Sequence, residues 1–169
     1  MLIQTSTYLM ANNYKYPSGN AGRTNNRNTM KYLSNYMEDR QTKAIDKAKA
    51  FFAFSDKQVE EGKAKQGLTD DIKLVSVGSG LICPKDTAKT LIKELDTIYK
   101  NSIKQDVEEN TKDGVIKREL YNHEAFYCGE IEQTVDALQD YPLTVEDIQK
   151  IYQGETRARC EGKKEFLSR

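Results

Sequence analysis

The chain has 169 residues, three of them cysteines, and its 26 Lys and Arg balance 26 Asp and Glu. That length argues for one domain plus at most an arm, and a net charge of zero excludes bulk attraction to nucleic acid. Leu, Ile, Val and Phe make up about one residue in five, enough for a small core, and no apolar run approaches the ~20 residues of a membrane span.

Charge is segregated along the chain. Residues 1–36 carry Lys15, Arg23, Arg27 and Lys31 and no acid. From Asn12 to Asn28 there is no Leu, Ile, Val, Met or Phe. Such a stretch buries too little to offset its ordering entropy, so residues 1–28 are expected to form a polar basic arm. The opening MLIQTSTYLMANN lacks the charged n-region and long h-region of a secretory signal. Met10 and Met30 are alternative starts that would shorten the arm.

An α+β domain is expected over residues 29–155. Met30, Leu33, Met37, Ala44, Ile45 and Ala48 follow a helical period, with Asn28 or Thr29 as cap. Ala50-Phe51-Phe52-Ala53-Phe54 reads as a buried strand. Ser55 with Gln58 forms a capping box for a short helix from about Asp56 that stops near Gly67. Ile72–Val77 and Leu81–Cys83 are two further strands, joined by a tight turn at Gly78-Ser79-Gly80 and closed by Pro84. That glycine run lies too far from the next helix for a phosphate loop.

Ala88, Leu91, Ile92, Leu95, Ile98, Tyr99, Ile103 and Val107 mark one stripe of a long helix with Asp86 as its cap. Asn110 to Gly114 breaks it. A helix is expected from Val115 to Cys128, with Gly129 just beyond its end, and a short helical face over Ile131, Val135 and Leu138. Thr144 with Asp147 resembles a capping box before Ile148, Ile151 and Tyr152, in a helix that Gly154 ends. Residues 156–169 form a charged tail, solvated helix or frayed. The fold is therefore four or five helices packed on one face of a small three-stranded antiparallel sheet, with an N-terminal polar arm.

The densest cluster of chemistry-bearing side chains is Arg118, Glu119, Asn122, His123, Glu124, Tyr127 and Glu130, which holds the only histidine. On a continuous helix Ile116, Leu120, His123 and Tyr127 share one face, which makes His123 a core residue closing against its neighbours. An imidazole beside a carboxylate also has the makings of a general base. His123-Glu124 lacks the second histidine of HExxH, and no metal or other cofactor is expected. No catalytic elbow is present. Cys83, Cys128 and Cys160 contain no CxxC, which suits reduced thiols in a cytoplasm, and Cys83 and Cys128 are expected to be buried and inert. In the arm, Tyr14, Lys15, Tyr16, Arg23 and Arg27 interleave aromatics with cations. That pattern suits docking on a sister subunit or partner protein, and as an alternative stacking on single-stranded nucleic acid.

The runs Ala50–Ser55, Glu60-Glu61-Gly62, Arg118–Glu124 (RELYNHE) and Glu130–Leu138 (EIEQTVDAL) resemble those of a family of small uncharacterised proteins from phages and mobile elements, often of Bacteroidota hosts, over residues 45–152. The resemblance carries no activity. It implies an accessory role in the bacterial host cytoplasm or on a virion: host take-over, defence evasion or a virion component. The leading expectation is a non-catalytic protein that docks on another macromolecule. The alternatives are a small hydrolase or nucleotide-binding enzyme centred on His123, and a single-stranded nucleic-acid binder acting through the arm.

Overall fold

Three consecutive residues with positive φ, Gly78 (115°), Ser79 (51°) and Gly80 (77°), reverse the chain between two antiparallel strands, β2 (Leu74–Gly78) and β3 (Leu81–Pro84). Only glycine adopts such angles without cost, which is why the run is glycine-rich. β1 (Phe51–Phe52) pairs antiparallel with the other edge of β3, so the sheet order is β1-β3-β2. β1 is shorter than the expected Ala50–Phe54.

The structure, a computed structural model, describes residues 30–167, with side chains to Glu161. The chain divides into two compact units, the first ending at Ser102 and the second beginning at Ile103. The expected caps Asn28 and Thr29 lie outside the described residues.

In the first unit, α1 (Leu33–Lys47) precedes β1, and α2 (Asp56–Gln66) follows it. The cap of α1 is Tyr32, whose N–H donates to Asn35 Oδ1 at 2.8 Å. α2 opens as expected on Ser55, whose Oγ accepts from the Gln58 N–H, but the Gln58 side chain accepts from the Phe54 N–H rather than reaching Ser55. It ends at Gly67 with φ of 62°. Period-two alternation splits the strands between two small cores. Leu81, Cys83, Val75 and Val77 pack against Ala44 and Ala48 of α1 and Ala88, Leu91 and Leu95 of α3 (Lys85–Asn110). Ile82, Leu74 and Phe51 turn the opposite way, where Val59, Leu68 and Ile72 cover them. The sheet is thus covered on both faces, because Phe51 lies directly over Gly62 of α2: a Cβ at Gly62 would overlap its ring. α3 starts immediately after Pro84, one residue before the expected cap, and Asp86 falls inside its first turn. Thr87 Oγ1 donates to the carbonyls of Ala48 (3.0 Å) and Pro84 (3.1 Å), tying the helix start to the end of α1.

The second unit contains the last turns of α3 and then α4 (Lys112–Asn122), α5 (Ala125–Cys128), α6 (Glu132–Ala137) and α7 (Val145–Leu167). The break after α3 is a single residue, Thr111, whose Oγ1 caps α4 by accepting from the Gly114 N–H. α7 opens on the expected capping box: Asp147 N–H donates to Thr144 Oγ1 and Thr144 N–H to Asp147 Oδ2. Val115, Ile116, Leu120, Ala125, Leu138 and Ile148 are buried here.

The class is α+β with a three-stranded antiparallel sheet, as expected. The described residues hold seven helices rather than four or five. One extra helix arises where the expected 115–128 helix breaks at Glu124, which takes φ of 52°. Gly154 does not end α7, which continues to Leu167. Lys117 pairs with Glu155 at 2.7 Å and Arg159 stacks on Tyr121 and Phe126, so the helix finds partners beyond the glycine. Among the described residues no helix is long and apolar enough to cross a membrane.

Candidate functional site

The cluster read from the sequence is built at the point where α4 stops. Because the helix ends at Asn122 and Glu124 is left-handed, His123 becomes the residue that closes α4 and no longer shares a face with Tyr127. The expected stripe Ile116-Leu120-His123-Tyr127 is therefore broken. Ile116 and Leu120 are buried, His123 keeps 27% of its side chain exposed, and Tyr127 is 91% exposed. His123 does not close a core. With Asn122, Glu124, Cys128, Glu130, Glu132 and Gln133 it lines an open cavity of about 330 Å³. Cys128, expected to be buried, is exposed on that cavity, since α5 is one short turn ending at Gly129; Cys83 is buried as expected.

Behind the cavity runs a chain of fixed polar contacts. Arg118 Nη1 and Nη2 donate to Asp106 Oδ1 and Oδ2, each at 2.8 Å, a bidentate pair in which both side chains are buried. Tyr141 Oη donates to Asp106 Oδ2 at 2.6 Å and Asn110 Nδ2 to Oδ1 at 2.7 Å. Every Asp106 lone-pair direction thus meets a donor, which is what lets a carboxylate sit in a core. Burial by itself pushes the Asp106 carboxyl up, but the hydrogen bonds from Arg118, Tyr141 and Asn110, with the guanidinium charge, outweigh it and hold the group below the usual carboxylate range. Burial opposes charge on Arg118 too, and its bond to Asp106 and the Glu119 charge leave it more firmly protonated than an ordinary arginine. Burial and the bond to Asp106 push the Tyr141 phenol well above its ordinary value.

Glu119 joins this network to the cavity. Its Oε1 accepts from Arg118 Nε at 2.8 Å and its Oε2 from Asn122 Nδ2 at 3.2 Å, while His123 Nε2 lies 3.8 Å from Oε2. The Glu119 backbone carbonyl accepts from the buried Thr134 hydroxyl. The structure therefore brings Asn122, His123, Glu124 and Glu130 together on the cavity, places Glu119 beside His123, buries Arg118 one step behind, and sends Tyr127 outward. Asp106 and Tyr141 were missed by sequence reasoning. Asp106 lies three residues past Ile103 on α3, and its burial shows only once the fold brings Arg118 to it. The arm residues Tyr14, Lys15, Tyr16, Arg23 and Arg27 lie outside the described residues. Among the described residues no group of three or more His, Cys, Asp or Glu is arranged to hold a metal ion.

α4, α5 and α7 also share an aromatic cluster. Phe126 stacks on Tyr152 (5.4 Å between centroids) and meets Tyr121 at 5.1 Å. Arg159 sits over the rings of Phe126 (4.2 Å) and Tyr121 (5.1 Å).

A family model described as a family of unknown function (DUF7659) matches residues 33–157, well over half of the chain. The chain belongs to that family. The DUF7659 match begins at the first residue of α1 and takes in both the 118–124 and 130–138 runs, wider than the 45–152 expected. No curated protein and no solved structure matches the chain.

Proposed function

We propose that the protein is a non-catalytic binding protein that docks on another macromolecule through the surface formed by α4, α5 and α7, in an accessory role for a phage or mobile element. The observation that carries the docking surface is the aromatic–arginine cluster itself. Tyr121, 52% exposed, and Phe126 carry Arg159 over their rings, and the neighbouring residue in the chain, Tyr127, is 91% exposed. Tyr and Arg are the side chains that concentrate binding energy at protein interfaces, because each offers a broad apolar face with a polar end. The phage or mobile-element setting rests on the motif runs at 50–55, 118–124 and 130–138. In the test, the full chain is used to capture partners from a bacterial host lysate, alongside Tyr121→Ala/Tyr127→Ala. The double variant should keep its helical circular dichroism and lose the captured partner. Equal capture by both would overturn the surface.

A second reading, an enzyme centred on His123, draws on the imidazole lining a cavity with a carboxylate 3.8 Å away. Against it, His123 Nε2 lies 3.8 Å from Glu119 Oε2, beyond hydrogen-bond reach, and that oxygen already accepts from Asn122. Turnover of ester or nucleotide substrates that disappears in His123→Ala, with stability unchanged, would favour this reading over the first.

A further inference from the structure

The second unit carries an excess of acids. Between Ile103 and Arg169 it carries fifteen Asp and Glu against ten Lys and Arg. The imbalance is concentrated where the cavity lies: from Glu119 to Gln149 there are eight acids and no Lys or Arg. The N-terminal 37 residues are its complement, with four bases and no acid. Three carboxylates of the acidic stretch, Glu124, Glu130 and Glu132, converge on the cavity of about 330 Å³. Among the described residues no Lys or Arg pairs with any of the three. Exposed Tyr121 and Tyr127 belong to the same 121–128 segment. Carboxylates around a cavity of that size recognise a guanidinium or ammonium, and the exposed tyrosines of the same segment offer faces to aromatic side chains of the same peptide.

Resting on the docking surface proposed above, we propose that its occupant is the basic arm of a second copy of this chain, residues 12–29, with Arg23 or Arg27 reaching the Glu124–Glu130–Glu132 cavity and Tyr14 and Tyr16 meeting the exposed tyrosines. Charge complementarity selects the arm: it is the longest acid-free stretch of the chain, and the surface is a base-free one. Length permits it, because eighteen residues reach at most about 60 Å when fully extended, enough to cross to a second copy. Reciprocal exchange between two copies fills both cavities in one closed two-fold pair, which is the ordinary symmetry of a homodimer.

The test is light scattering of the full chain across protein and salt concentration, with two charge reversals and their combination. The full chain should dimerise at low salt and dissociate as salt rises. Arg23→Glu/Arg27→Glu should weaken the dimer at least tenfold, as should Glu130→Lys/Glu132→Lys. The four-fold swap, in which arm and cavity are both reversed, should restore it while either reversal alone does not. Circular dichroism on each variant separates loss of the dimer from loss of the fold. A chain that is monomeric at every concentration, or a dimer indifferent to salt and to both reversals, overturns the proposal. So does an arm that instead retains single-stranded DNA in gel shift and loses it on Arg23→Glu/Arg27→Glu, with no self-association. A monomer that still loses a captured lysate partner in Tyr121→Ala/Tyr127→Ala refutes the second-copy arm alone. If that double variant leaves both self-association and capture untouched, the docking surface itself is refuted.

Discussion

The two units solve the problem of a small core differently. In the first, the clusters around β3 are built of apolar side chains, and the one buried polar side chain among the described residues, Ser102, is a small hydroxyl that donates to the Tyr36 carbonyl. In the second, a carboxylate, a guanidinium and a phenol lie at the centre, among Val115, Ile116 and Leu120. A core of aliphatic groups tolerates trimming in proportion to volume. A core built on a compensated charge pair fails abruptly when one member leaves, because the survivor is stranded away from water. The contrast also explains the site: Glu119 and Asn122 are held in place because Arg118 anchors both Asp106 and Glu119.

The sharpest way to break that contrast is Arg118→Ala. It leaves the Asp106 carboxylate facing only Tyr141 and Asn110 and should cost about 3–5 kcal/mol in urea denaturation, against roughly 1 kcal/mol for Ile82→Val in the first unit. Equal losses would mean that the polar core contributes no more than packing does. The pH dependence sharpens the same point. The folded Asp106 carboxyl sits below its unfolded value, so its contribution is present above the unfolded value of about 4 and is lost as pH falls toward the folded one. Wild-type stability should fall below about pH 4 more steeply than that of Asp106→Asn, read by urea titrations at pH 7, 4 and 3. At the alkaline end the raised Tyr141 phenol contributes below its unfolded value of about 10 and loses that contribution above it. Tyr141→Phe should remove that alkaline limb and flatten the loss above about pH 10.

Two glycines give smaller effects of opposite sign. Gly62 and Gly154 are both inside helices, and propensity alone would favour alanine at each. A Cβ at Gly62 would run into the Phe51 ring, so Gly62→Ala should lower stability by about 1–3 kcal/mol. At Gly154 a Cβ meets nothing within 4 Å, so Gly154→Ala should raise stability by about 0.5–1 kcal/mol. Thermal melts of the two variants, moving in opposite directions, check both.

Those glycines also show what a sequence can tell. Gly67 and Gly129 were legible as helix ends, and Gly78-Ser79-Gly80 as a turn, because nothing but local backbone geometry decides them. Gly154 misled, since the partners that carry α7 onward, Lys117 and Tyr121, are distant in sequence. The long α3 stripe was legible from its period, whereas Asp106 within it was not, because a buried carboxylate and a solvated one look alike until Arg118 and Tyr141 are brought to it. His123 was read as core on the assumption of an unbroken helix. The left-handed Glu124 breaks that helix, and no residue type there announces a positive φ. Four of the seven cluster residues, Asn122, His123, Glu124 and Glu130, nonetheless share the cavity, since three of them follow one another at the end of one helix.

The distribution of the three thiols gives the molecule a built-in reporter. Cys83 lies at the centre of the sheet, where burial pushes its thiol up against a partial offset from Thr87, while Cys128 and Cys160 are open to solvent. An alkylating reagent should therefore modify two cysteines quickly and the third only at the rate at which the first unit opens. The lag between the second and third adduct in a mass spectrum would time that opening event without any introduced label.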